Sequence, residues 1–311
     1  MAARDVTGPL PVGARIHRSG RRWGEDVIRG LLVLCAVVSV ATTVGIVVAL
    51  LEPALEFFRE VNVIDYLTGR EWAPLFEPAH FGVLQLVSGT LAVTVVAALV
   101  FIPFGLGAAI YLSEYARPRV RKWLKPTLEV LAGIPTVVFG YFALTFVTPL
   151  LRDIGIQVDV FNVLSGGLVV GVMLIPTVAS LSEDAMNAVP QALRDGAYGL
   201  GSTKLQVSTR IVVPAAISGV IASFVLAISR AVGETMVVLL AVGQQPNLSL
   251  DVREGAETMT AFIAATGQGD VPTGTIEYKT IFAVGLTLFV MTLVMNIISI
   301  RLVRKYREVY E

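Results

Sequence analysis

The chain has 311 residues, of which 55% are hydrophobic and 15% charged, with a mean hydropathy of +0.74. It is too apolar for an ordinary soluble domain and too long for one bilayer crossing, so an all-α polytopic membrane protein is expected. Basic and acidic residues balance at 24 each, so net charge alone identifies no partner, and the placement of charge carries more information.

Residues 1–30 hold six arginines against three acids, with Gly and Pro scattered through the first dozen. They read as a flexible basic tail, with residues 1–26 set apart from a membrane domain covering 27–311. The apolar run Leu31 to Leu51 is long enough for a hydrocarbon core of roughly 30 Å at about 1.5 Å per residue. It exceeds a signal-peptide core and no small-residue cleavage site follows, so it is expected to be a retained span. Residues 52–83 form a polar connection. Further runs at about 84–112, 128–150, 163–182, 215–242 and 280–302 bring the expected spans to six. Pro103, Pro135 and Pro176 interrupt three of them and predict kinks or pathway lining.

Lys and Arg total eighteen in the leading tail, residues 113–127, residues 183–213 and the trailing end, against five in the alternate connections. Positive residues are retained on the inner side, which predicts a multi-pass protein with both termini cytoplasmic. The outward connections carry thirteen acids. Such a face repels a free multivalent anion, so an anionic cargo is better delivered by a docked carrier.

Cys35 is the single cysteine, and the two histidines, His17 and His80, lack an HExxH context, so no disulfide framework or metal site is expected. The ionisable residues that matter lie in the fifth span. On a helical wheel Gly219, Ser223, Ala227, Arg230 and Glu234 fall on one side, opposite Ile221, Phe224, Val225, Ile228 and Val232. Charge in a membrane helix is costly and marks function, so the small, charged face is expected to look inward. Arg230 offers a permanently charged planar fork suited to an oxyanion. Thr136, Thr177, Ser229 and Thr235 could add donors, and Glu234 is expected to pair with Arg230 when no cargo is bound. A purely structural ion pair is the competing reading.

Immediately upstream, residues 183–213 form a polar connection expected on the inner face. Within it Asp195, Gly196 and Ala197 are followed after three residues by Gly201, and after nine more by Ile211, Val212, Val213 and Pro214. This spacing resembles the EAA loop through which import permeases of the ATP-binding cassette (ABC) superfamily engage their ATPase. Asp replaces Glu, Gly replaces the first Ala and Val replaces Leu. Gly196 should weaken the helix by up to about 1 kcal/mol relative to Ala.

Within that superfamily the chain resembles the PstC-type permeases of phosphate importers, through TGREW at 68–72, FGVLQLVSGTL at 81–91, LSEYA at 112–116, AGIPTVVFGY at 132–141 and SRAVGETM at 229–236. The resemblance implies an ABC importer permease fold in the bacterial inner membrane and translocation of inorganic phosphate. It also implies a second, PstA-type permease, a PstB-type ATPase dimer and an external PstS-type phosphate-binding protein, with lipid around the spans and no nucleic-acid partner. Arg230 and Glu234 would line the phosphate route. The chain has no GxxxxGKS or GxxxxGKT loop, so ATP hydrolysis is expected in a separate subunit and the chain itself is expected to be neither an enzyme nor a cofactor binder. Another oxyanion as cargo, such as sulfate or molybdate, and a proton-coupled secondary carrier using Glu234 are the alternatives. A membrane enzyme is disfavoured because no nucleophile or metal constellation is present.

Overall fold

A computed structural model describes residues 23–269 and 271–305, and the expected basic tail through residue 22 lies outside the described residues. The chain divides into two units, Met1–Ala49 and Leu50–Glu311. The first is described from Trp23 as the leading part of helix α1 (Trp23–Glu60), whose apolar side chains from Val27 to Val48 are exposed apart from the half-buried Val47. Such a surface suits acyl chains as solvent.

In the second unit α1 ends beside α2 (Val63–Thr68), and a two-residue antiparallel pair, β1 (Trp72–Ala73) with β2 (His80–Phe81), leads into α3 (Leu84–Ile110). A π-helical turn, Tyr111–Tyr115, joins α3 to α4 (Pro118–Ala132). Then follow α5 (Thr136–Phe142), a π-helical turn at Ala143–Val147, α6 (Thr148–Asp153) and α7 (Val163–Asn187). The next connection is itself helical: α8 (Gln191–Gly199), α9 (Lys204–Val207), a π-helical turn at Ser208–Val212 and α10 (Val213–Ala215). α11 (Ile217–Val232), α12 (Met236–Ala241), α13 (Met259–Gln268) and α14 (Ile276–Lys305) complete the chain.

Among the described residues four helices are long and apolar enough to cross a membrane: α1, α3 with its π-helical turn, α7 and α14. Two bent pairs bring the number to six if each is one span. α4 turns 86° into α5–α6, and α9–α10 turn 72° into α11. The third expected span, 128–150, therefore starts in the wrong helix. α4 is amphipathic and stops at Ala132, and the apolar rod begins only at Thr136. Pro135 makes this break because its ring disfavours helical backbone in the residue before it. Pro103 and Pro176 instead remain inside continuous helices. The expected fifth span, 215–242, is broken at Ala216 and again at Gly233–Thr235.

The centre of the second unit is the α3–α7 seam. A β-carbon on Gly105 would lie 2.7 Å from Val178, and one on Gly167 or Gly171 would lie 2.6 Å from Val96 or Val100. Close backbone approach through small residues is how membrane helices gain packing where hydrophobicity gives no preference for protein over lipid. Around the seam, Val93, Ala97, Phe101, Val170, Met173, Leu174, Ala227 and Val238 are buried as one cluster. A second cluster at the Val83 end of α3 is aromatic, with Phe57, Tyr66, Trp72 and Phe262 meeting edge to face. A third, at the Ala109 end, contains Met186, Val189, Ala197, Val207 and Val212. Val83 and Ala109 are separated along α3 by roughly 39 Å, enough to place the two end clusters at opposite faces of a bilayer.

Candidate functional site

The small face of α11 packs on α7 as the wheel anticipated, but the opposite face does not all turn outward, because Val232 is 1% exposed and Phe224 and Ile228 pack against the central cluster. Gly219 abuts Ala185, and the Ser182 and Ser223 hydroxyls are 2.7 Å apart. The seam ends at Arg230, which is exposed and donates through Nη1 to Thr177 Oγ1 at 3.4 Å. Among the described residues Arg230 forms no ion pair.

Glu234 does not share that face. α11 ends at Val232, and Glu234 falls in the break, where it is 7% exposed. Its Oε1 accepts from the Met236 and Val237 amides at 3.1 and 3.2 Å, and its carbonyl accepts from Thr260 Oγ1 at 2.5 Å. The carboxylate thus serves donors that the first turn of α12 would otherwise leave unsatisfied. The expected pairing with Arg230 is absent, because four-residue spacing places two groups on one side only while the helix is continuous. Of the other proposed donors, only Thr177 reaches Arg230. Ser229 donates to Asn296 Oδ1 at 3.3 Å and Thr235 to the Gly233 carbonyl at 3.3 Å, while Thr136 opens α5. The result is one uncommitted guanidinium beside a helix break, with a hydroxyl at hand.

The second candidate region is the helical connection. α8 turns Ala197 inward and leaves Asp195 and Gly196 on the surface, Asp195 accepting from Gln191 Nε2 at 3.1 Å. Gly201 ends this segment at φ +82°, a left-handed conformation that L side chains resist. Thr203 and Gln206 then cap α9 reciprocally. Ile211 lies partly buried in the following π-helical turn and Pro214 is exposed in α10. Leu200 is 90% exposed and Leu205 63%, with Tyr198 also uncovered. The segment therefore presents an apolar-tipped surface beside Asp195.

Its anchor is Arg194, which the motif does not single out. Nε and Nη2 donate to Glu114 Oε1 at 3.3 and 3.1 Å, Nη1 donates to the Val189 carbonyl at 2.6 Å, and Nη2 also donates to the Met186 carbonyl at 2.7 Å. The same corner holds Glu183, fully buried in α7, which pairs with Arg121 and Lys125 of α4. Lys125 also reaches Asp184 Oδ1 at 2.8 Å. Two cations one helical turn apart, facing an acidic pair at the end of an apolar run, were the available sequence signal.

This arrangement defines a helical membrane permease with a side-chain-anchored surface segment. The chain belongs to the family described as binding-protein-dependent transport system inner membrane component, which matches residues 101–308, and it is an ABC importer permease subunit rather than an enzyme. It is 33% identical to the probable ABC transporter permease protein YqgH of Bacillus subtilis (strain 168), over 96% of this chain and 98% of that protein. It is 30% identical to the phosphate transport system permease protein PstC of Mesorhizobium japonicum, over 73% of this chain and 74% of that one. A chain of a bacterial alginate ABC transporter, solved in complex with an alginate pentasaccharide-bound periplasmic protein, shares the fold with TM-score 0.64 and 16% identity, over 92% of this chain and 98% of that chain.

Proposed function

We propose that this subunit carries inorganic phosphate inward, with Arg230 as the cation the anion meets inside the membrane. The observation that carries the reading is the exposed guanidinium at the end of the α11–α7 seam, bonded to Thr177 and without a carboxylate partner among the described residues. A permanent cation on a spanning helix is costly against lipid, and its fork suits a tetrahedral oxyanion. Several relatives named as PstC phosphate permeases, near 30% identity over most of the chain, support phosphate over other cargo. Glu234 shapes the route from its place in the break, where its cap on α12 holds the backbone beside Arg230.

Asp195, Gly196, Ala197, Gly201, Ile211 and Pro214 belong to the segment that engages a PstB-type ATPase dimer, with exposed Leu200 and Leu205 supplying apolar contact. A PstA-type permease completes the membrane unit. A PstS-type binding protein delivers phosphate to an acidic outer face. The sequence-based boundary at 26/27 falls inside α1, which already begins at Trp23, so the cytoplasmic tail is assigned to the residues ahead of Trp23 and the permease domain to those from Trp23 on, with both termini in the cytoplasm. The reading is tested by reconstituting the co-purified complex in vesicles and measuring phosphate uptake with and without ATP against competing sulfate and molybdate. ATP-dependent uptake resistant to both competitors supports it. Uptake without ATP indicates a secondary carrier, and effective competition by sulfate or molybdate indicates a different cargo.

A further inference from the structure

α4 meets the helices that follow it at 86°, and its sides differ chemically. Arg121, Lys125, Leu128 and Leu131 recur at helical spacing on the partly buried side, where the two cations hold Glu183 and Asp184 of α7. A second side is apolar and uncovered. On it Trp123 is 79% exposed and Val130 72%, with Val120 at its edge at 38%. The third side is basic. Arg119 and Lys122 stand exposed on it, Arg117 precedes it at the helix cap, and none of the three forms an ion pair among the described residues. Glu129, the only acid in α4, lies about two turns beyond Lys122, so the leading half of the helix is uniformly positive.

A helix with neighbouring apolar and cationic stripes, set nearly perpendicular to an apolar rod, has the geometry of one lying in the plane of a membrane surface. Tryptophan favours that depth, and juxtamembrane cations attract anionic headgroups. We propose that α4 lies flat in the bilayer surface and binds anionic phospholipid. Val120, Trp123 and Val130 enter the acyl boundary, and Arg117, Arg119 and Lys122 take the headgroup phosphates. The inference rests on the membrane setting of α5–α6 and not on the identity of the cargo. It also gives the Glu183 and Asp184 contacts a role, since the lipid-held helix clamps the end of α7 from which Arg194 is bound.

The test uses the full-length protein, alone and in the assembled transporter, in phosphatidylcholine vesicles with and without phosphatidylglycerol. The Trp123 signal is the difference in emission between wild type and Trp123→Phe, a change at an exposed position. Brominated acyl chains are expected to quench most of it and aqueous iodide little. Brominated phosphatidylglycerol should quench in preference to brominated phosphatidylcholine, and the double variant Arg119→Gln, Lys122→Gln should lower that preference roughly twenty-five-fold, at about fivefold per charge. Quenching by iodide alone, quenching by neither agent as expected for a face covered by protein, or a preference unchanged in the double variant overturns the proposal. So does displacement of brominated phosphatidylglycerol by inorganic phosphate in the bath, which would assign the cations to the free anion. None of these readouts depends on transport, so their failure leaves the proposed cargo untouched.

Discussion

Arg194 and Glu114 lie 80 residues apart and meet inside the protein, the guanidinium donating twice to one carboxylate oxygen at 3.1 and 3.3 Å while also donating to the Met186 carbonyl in the last turn of α7 and the Val189 carbonyl just past it. The α8 segment is thereby fastened to the ends of both α3 and α7. Breaking one side of a buried pair leaves the other charge without compensation, which costs about 3 to 5 kcal/mol. Arg194→Met and Glu114→Gln should each lower the melting temperature of the purified protein. Their double variant should lose less than the sum, with a coupling of roughly 1 to 3 kcal/mol. Arg194→Lys should rescue poorly, because an ammonium cannot span the same four contacts. Additive losses would show that the two residues act separately.

Arg230→Gln should abolish phosphate uptake by the assembled transporter while leaving its stability within about 0.5 kcal/mol of wild type, as expected for an exposed side chain. Uptake and thermal melting of the same preparation read the two effects. Normal uptake by this variant removes Arg230 from the route.

Glu234 caps α12 through its side-chain oxygen, and two substitutions test this. Glu234→Ala should cost about 1 to 2 kcal/mol because it strands the Met236 and Val237 amides. Glu234→Gln keeps an acceptor oxygen and should retain most of that stability. Equal melting of the alanine variant and wild type would refute the cap.

At Gly201 the left-handed backbone sets the expected order of variants. Gly201→Val should strain the turn by roughly 1 to 2 kcal/mol, whereas Gly201→Asn, a residue that tolerates the conformation, should be milder. Among the described residues nothing lies within 4 Å of the position a β-carbon would take, so the expected effect is conformational and not a clash. ATP hydrolysed per phosphate moved should rise in the valine variant and stay near wild type in the asparagine variant. An unchanged ratio in both would separate this turn from coupling.

Glu257, in the connection between α12 and α13, is 6% exposed and has no hydrogen-bond or ion-pair partner among the described residues. Burial pushes its carboxyl from the ordinary 4.5 up to about 7. The folded state then holds a proton that the unfolded state has released, so stability falls as pH rises from about 4.5 to about 7, by on the order of 3 kcal/mol. Glu257→Gln should flatten that part of a melting-temperature profile against pH. A wild-type profile level across the interval would rule the effect out.

The sequence was legible where the bilayer imposes one solution. α1, α3, α7 and α14 are long apolar runs, and a chain among acyl tails must satisfy its own backbone, so such runs become helices. The spacing from Asp195 to Pro214 likewise located the surface segment, although Arg194 and not Asp195 turns inward, because α8 packs through Arg194 and Ala197, one turn apart. Hydropathy merged α4 with α5 across Gly133 and Pro135, and it carried α11 through Gly233. Glu234 was therefore read as the companion of Arg230, when a three-residue break makes it the companion of α12. α13 escaped notice because ten residues are too few to stand out as a crossing.

The glycines between α3 and α7 leave no slack for sliding. Gly105, Gly167 and Gly171 each hold a valine at a distance that a single methyl group would close, so the two helices form one stiff strut. The breaks in the helical scaffold lie elsewhere, at Gly133–Pro135, Ala216 and Gly233–Thr235, and bending is expected there rather than along the α3–α7 seam. The last of these lies next to Arg230, so a flexing of the scaffold there turns directly into a movement of charge.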